Sequence, residues 1–161
     1  MQAAATRGRG RSPSGNDADE APASDAIASE VDRRLVQARQ AYLDALPIAA
    51  AIIVIGDDED ATEVDCANEH FRFISEWDER MGDRRVSHVP ILRAGPIGAR
   101  LGDFIRSDDP AYQFETADGR SIGGRHFTVR FSRLRPVPGQ PNRLLISLIA
   151  DSERQAVQLS M

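Results

Sequence analysis

The stretch AYQFETADGRSIGGRHFTVRFSRLRPVPGQPNRLLISLIA, residues 111–150, decides how this chain folds. Residues 111–117 are an apolar-rich run and lead into Asp118-Gly119, a dipeptide that tolerates the positive φ of a tight turn. The chain returns along residues 126–134, so the pair predicts a β-hairpin. After the Pro- and Gly-rich residues 136–142, the run 144–150 is apolar on both faces, as a central strand covered from each side must be. It ends in Asp151-Ser152-Glu153-Arg154, the polar start of a helical tail. A buried strand feeding a polar helix can carry a change in the core to whatever follows it.

Upstream, Ile27, Val31, Leu35, Ala38, Tyr42 and Ala45 recur at steps of four and three, the stripe of an amphipathic helix over residues 27–46 that stops at Pro47. The stripe either packs on its own domain or is shared across a homodimer, which its near-heptad spacing permits. Residues 1–26 are rich in Ala, Gly, Ser, Pro and Asp and hold few large apolar groups, so a disordered tail is expected there. Residues 50–55 form an apolar, β-branched run, residues 56–60 turn the chain, and residues 63–67 return it as a first hairpin. That acidic turn is not an EF-hand. No glycine stands sixth from Asp57, and the twelfth position is Asn68 rather than glutamate.

Asn68 occupies a helix N-cap position, and Phe71, Ile74 and Trp77 follow on one helical face, predicting a short helix against the sheet. From Trp77 to Arg106 the apolar groups are interrupted by Gly82, Pro90, Gly95, Pro96, Gly98 and Gly102, the pattern of brief helices and turns. The glycine spacing fits neither a dinucleotide fingerprint nor a Walker loop, and loop geometry accounts for it.

At 161 residues the chain is one domain with tails, and its net charge of -5 and pI near 5.2 speak against a nucleic-acid partner. A single cysteine, Cys66, excludes an internal disulfide framework, and no apolar run is long enough to span a bilayer. With no signal-peptide core at the N-terminus, a cytoplasmic location away from membranes is expected. The sequence contains no lysine: all 20 basic residues are arginine. Schiff-base chemistry, a P-loop lysine and a Ser–Lys dyad are thereby excluded. No zinc-site spacing and no nucleophile elbow are present, so no catalytic residue and no metal ligand are assigned, and the fragment itself is not expected to be an enzyme.

A leading helix, a hairpin, Ala67-Asn68-Glu69-His70-Phe71, short helices, then three strands closing on Asp151 together resemble a Per-Arnt-Sim (PAS) domain from about Leu43 to Arg154. The asparagine followed three residues on by an aromatic, and the Asp118-Gly119 turn before the fourth strand, carry the resemblance. It implies an α+β fold: a five-stranded antiparallel sheet with short helices on one face and a flanking N-terminal helix. Residues 47–151 are then the PAS domain and residues 152–161 the start of a signalling linker helix. Residues 125–139 followed by 145–149 look most like the sensory modules ahead of bacterial GGDEF and EAL domains, which make or hydrolyse cyclic di-GMP. Neither segment is present, so a covalently attached output domain is expected outside this chain. A histidine kinase is the alternative output. The usual exit, Asp, any residue, Thr, is here Asp151-Ser152-Glu153, without the threonine.

Period-two alternation puts Phe127, Val129 and Phe131 on one face of their strand, aimed at the core. Family members hold haem, flavin, small acids or nothing between that face and the helices. The resemblance therefore implies Trp77, His88, Phe104, Phe127, Val129 and Phe131 as a ligand-binding set. Asn68, Asp118, Gly119 and Asp151 are the structural and signalling positions, and Ile27, Val31, Leu35, Ala38 and Tyr42 the dimer contact. No cofactor is assigned; haem would need a histidine facing the pocket from the later helices, and His88 alone stands in that region. A flavin photosensor is rejected, because Cys66 lies at a strand end rather than in an Asn-Cys-Arg-Phe-type helix motif. A regulatory input module that binds a small ligand or partner is the first functional expectation. A ligand-free structural dimerisation module is the second.

Overall fold

The computed structural model describes residues 20–58, 60–93, 95–116 and 126–150. The Asp118-Gly119 turn, Asp151 with the exit Asp151-Ser152-Glu153, the linker 152–161 and residues 1–19 of the expected tail lie outside the described residues. By its contacts the chain divides into Met1–Val36 and Gln37–Met161.

The first helix, α1, runs Glu20–Asp44. Residues 20–26, expected as part of a disordered tail, are thus helical; the Glu20-Ala-Pro-Ala-Ser start supplies good helix formers with proline in the first turn, where its missing N–H costs nothing. In the second unit, strands β1 (Ala49–Val54) and β2 (Glu63–Ala67) form the first hairpin. Helix α2 (Glu69–Ser75), two 3₁₀ turns (Glu79–Met81 and Val86–His88), α3 (Pro90–Arg93) and α4 (Gly95–Arg106) follow. Then come β3 (Ala111–Glu115), β4 (Phe127–Arg133) and β5 (Arg143–Ala150).

The five strands make one antiparallel sheet in the order β2-β1-β5-β4-β3. The mostly apolar run of β5 is explained by this order, since it lies between β1 and β4. Leu144, Ile146 and Leu148 point to the inner face with Ala51, Ile53, Val129 and Phe131, and the helical layer roofs that face with Phe71, Trp77, Leu92, Ile97 and Phe104. Across the sheet, Leu43 at the end of α1 covers Ala50, Ile52 and Cys66, with Leu46 and Leu145 beside them. The register of β1 on β2 shifts between Ile52 and Ile53, leaving Asp65 as the extra residue of a bulge. Asp65 Oδ2 there meets Arg39 Nε at 2.9 Å and accepts a hydrogen bond from Arg143 Nε at 3.1 Å.

Two local readings change. Helix α2 ends before Trp77, because Glu76 adopts φ 56°, a left-handed cap that breaks the helical face expected to hold Phe71 and Trp77 together. Trp77 reaches the core from the turn instead, its Nε1 donating to the Asp83 carbonyl at 3.0 Å. The α1 stripe of Ile27, Val31, Leu35, Ala38 and Tyr42 is exposed, and the helix packs through Leu43, one residue off that stripe.

Candidate functional site

The site begins with a buried asparagine. Asn68 caps α2 by accepting from Phe71 N–H at 3.0 Å and also accepts from Ala50 N–H in β1 at 3.1 Å. Its amide donates to the Leu43 carbonyl at 3.1 Å and to the Ile48 carbonyl at 2.7 Å. One side chain with its full capacity used therefore ties the end of α1, the start of β1 and the first turn of α2. The N-cap reading of the sequence held for the Phe71 bond; the other three bonds come from segments distant in the chain.

The expected ligand set divides: five of its six residues share the buried core and His88 stands outside it. Trp77, Phe104, Phe127, Val129 and Phe131 are all 3% exposed or less and pack into the core. Phe131 lies 5.5 Å from Phe104, 5.7 Å from Phe114 and 6.5 Å from Tyr112, ring centre to ring centre, so rings fill the space above that part of the sheet. His88 does not face the core. It lies on the surface with its Nδ1 against Asp83 Oδ2, and Arg85 donates to the same carboxylate at 3.1 Å and 3.2 Å. The Arg85 hydrogen bonds hold the Asp83 carboxyl well below the usual carboxylate range. The short 3₁₀ turn directs Val86 inward and His88 outward, so the apolar neighbours in sequence do not enclose the imidazole and a pocket-facing haem ligand is absent at this position.

A cavity of about 250 Å³ opens instead within the helical layer. Val86, Leu92, Leu101 and Ile105 supply its apolar walls. Gly98, Ala99 and Gly102, on one side of α4, supply its room by having little or no side chain. Its polar groups are Thr62, Ser87 and Arg93. Thr62 Oγ1 is occupied, donating to the Asp58 carbonyl at 2.8 Å and accepting from Gly56 N–H at 3.2 Å. Ser87 Oγ is buried without a hydrogen-bond partner. None of the expected ligand residues lines this cavity. The available signal was the Gly98, Ala99, Gly102 spacing, which loop geometry had absorbed. Gly98 has a further reason: a Cβ there would stand 2.9 Å from the carbonyl oxygens of both Leu92 and Arg93, so only glycine lets α4 approach α3 this closely.

Helix α4 is held to the sheet from its other end. Arg133, last in β4, donates through Nη2 to the Phe104 carbonyl at 2.7 Å and through Nε to the Asp109 carbonyl at 2.9 Å, with its guanidinium 4.7 Å from the Phe104 ring centre. A cation on the final carbonyls of a helix also complements its dipole.

The second-unit architecture, with its helical roof on one face, matches solved structures. One is a LOV protein of Rhodobacter sphaeroides, with TM-score 0.51 and 16% identity over 73% of this chain and 70% of that one. Another is the PAS domain of BvgS from Bordetella pertussis, with TM-score 0.52 and 12% identity over 79% of this chain and 93% of that one. The fold is that of a PAS domain. No family model matches the sequence, and no curated protein does. In this PAS-like fold Cys66 belongs to the sheet face opposite the helical roof, and burial first, then the neighbouring Asp65, pushes its thiol up to about 11. Such a thiol is inert at neutral pH. No helix among the described residues is long and apolar enough to cross a membrane.

Proposed function

We propose that this PAS domain is a sensory input module: a small molecule taken into the cavity between α3 and α4 changes the seating of α4, and the sheet relays the change. The single observation that carries this reading is the cavity itself, about 250 Å³ beside an otherwise closely filled core. Arg133 supports the relay, since it joins the end of α4 to β4, and β4 pairs along its length with β5. From β5 the chain continues to residues 151–161 and, in this proposal, to an attached output domain. A diguanylate cyclase or phosphodiesterase acting on cyclic di-GMP is the proposed output, on the resemblance of residues 125–149 to modules of that kind; the fragment itself has no catalytic role in the proposal. Coding sequence after Met161 that specifies a GGDEF or EAL segment supports that output, and a kinase segment replaces it.

The module is further proposed to act as a homodimer through α1, because Ile27, Val31 and Leu35 are 67%, 51% and 37% exposed in a helix whose other residues are mainly polar. Leu35→Asp then yields monomers in sedimentation, whereas an unchanged dimer rejects this contact. The sensory reading is tested by extracting denatured protein for a co-purified small molecule and by following amide shifts of residues 86–105 with candidate ligands. A ligand-free dimerisation module is the second reading, favoured by the aromatic packing of Phe104, Tyr112, Phe114 and Phe131 over the sheet. An unresponsive cavity with an intact dimer selects it.

A further inference from the structure

The geometry points to a phosphate-binding site on the sheet face opposite the helical roof, where Arg39 and Arg143 share a single carboxylate. It lies apart from the cavity and does not depend on the sensory reading. Asp65 is the residue left over by the bulge in β2, and its Oδ2 faces both cations: Arg39 Nε at 2.9 Å and Arg143 Nε at 3.1 Å. Arg39 stands one turn before Leu43 on the part of α1 that belongs to the second unit, and Arg143 opens β5. The three side chains are mostly buried, at 19% exposure for Arg39, 18% for Asp65 and 16% for Arg143. Two guanidiniums against one carboxylate leave a positive charge uncompensated, in surroundings where charges are ordinarily paired. No other carboxylate among the described residues forms an ion pair with either arginine.

Donors are left over as well as charge. Of the two contacts to Asp65, that of Arg143 is aligned as a hydrogen bond, whereas Arg39 Nε is buried without one. Arg143 Nη1 donates to Gln140 Oε1 at 3.0 Å and to the Pro141 carbonyl at 3.5 Å. Arg143 Nη2 and both terminal nitrogens of Arg39 have no partner among the described residues and, unlike Arg39 Nε, are not sealed from solvent. A third guanidinium stands at the same residue. Exposed Arg84 donates through Nη1 to the Asp65 carbonyl at 2.8 Å and the Val64 carbonyl at 3.4 Å, and its other nitrogens are unused among the described residues. Guanidiniums only donate, so the partner brings acceptors and negative charge. Forks reaching in from α1 and β5 suit an anion that offers separate oxygens to each, which a phosphate does and a carboxylate, with two oxygens, does less well. Such an anion fastens the end of α1 to the sheet. Asp65 itself repels it, and that gives the test its sign.

The test uses the whole chain with inorganic phosphate, phenyl phosphate, acetate and chloride at matched ionic strength. Binding is read from the Nε–H signals of Arg39 and Arg143 and from the melting temperature. Inorganic phosphate is expected to shift both signals saturably and to raise the melting temperature, while chloride and acetate do neither. An equal response to phenyl phosphate assigns the site to a phosphate carried on a larger molecule; binding of inorganic phosphate alone assigns it to the free ion. Arg39→Gln should weaken phosphate by about tenfold, the size of one charge-assisted contact, and Arg39→Lys should recover part of the loss. Arg84→Gln, at an exposed position where folding is not at risk, should weaken it by about threefold. Asp65→Asn is the decisive variant. It keeps an acceptor oxygen and removes the repelling charge, so it should melt lower without phosphate yet bind phosphate about tenfold tighter. If phosphate acts no more strongly than chloride on the native protein and on Asp65→Asn alike, the cluster is a structural clasp between α1 and β5 and the proposal is overturned. Acetate binding as tightly as phosphate overturns the phosphate class.

Discussion

Two neighbourhoods of α4 are built in opposite ways. Over β4, the rings of Phe104, Tyr112, Phe114 and Phe131 interlock and leave Phe131 wholly buried. Against α3 and the Val86–His88 turn, α4 presents Gly98, Ala99 and Gly102 and leaves a cavity of about 250 Å³ open. Helix α4 contributes to both, sending Ile97 and Phe104 into the core and its small residues to the cavity. The difference teaches that aromatic residues aimed at a fold's interior are first of all filler. Space for a ligand arises where facing side chains are too small to meet, and interiors are otherwise close-packed.

The largest expected effect breaks the filled side. Phe131→Ala removes a fully buried ring from this cluster and should cost about 3–5 kcal/mol in urea unfolding. A loss under about 1 kcal/mol would mean that the rings do not pack as described. Next is Asn68→Ala, which strips partners from Ala50 N–H, Phe71 N–H and the carbonyls of Leu43 and Ile48. A loss of roughly 2–4 kcal/mol is expected, combining the missing cap with the unpaired backbone groups. Asn68→Asp keeps the acceptor and removes the donors, so the difference between the two variants separates cap from tether.

Gly98→Ala sharpens the contrast from the open side. The added methyl meets the Leu92 and Arg93 carbonyls, and about 1–3 kcal/mol should be lost together with shifts in the amides lining the cavity. The smallest effect concerns Cys66. Its thiol is held neutral in the fold up to about 11 against an ordinary 9.0. Between those values the unfolded chain loses its proton first, so stability is fully present below pH 9.0 and falls as pH rises toward about 11. The slope of the urea midpoint over that interval should be shallower in Cys66→Ala, and at neutral pH the native thiol should resist alkylation.

Much of the fold was legible because strand faces are written locally. The bounds of β2 follow from residues 63–67 alone, and the inward set Phe127, Val129 and Phe131 follows from alternation, since one face must be buried and the period is two. Helix ends were less legible. The break at Glu76 depends on a left-handed backbone that glutamate rarely adopts, and α1 extends to Glu20 in a segment whose composition suggested a tail. For the candidate site, Asn68 was recognisable as a cap, but its bonds to Leu43, Ile48 and Ala50 join residues 18 to 25 positions away. His88 was misjudged because apolar neighbours in sequence are not neighbours in space when a turn of three residues brings Val86 and Val89 inward and leaves His88 at the surface.

By itself, the amino-acid sequence determined the layers: which segments are strands, which face of each is apolar, and that a capped helix leads the helical roof. These are consequences of short-range periodicity and of burying hydrocarbon away from water. Only the tertiary structure decided where the interior is full and where it is open. A cavity is the volume left over when Thr62, Ser87, Arg93 and one side of α4 converge from separate segments, and no local pattern encodes that remainder.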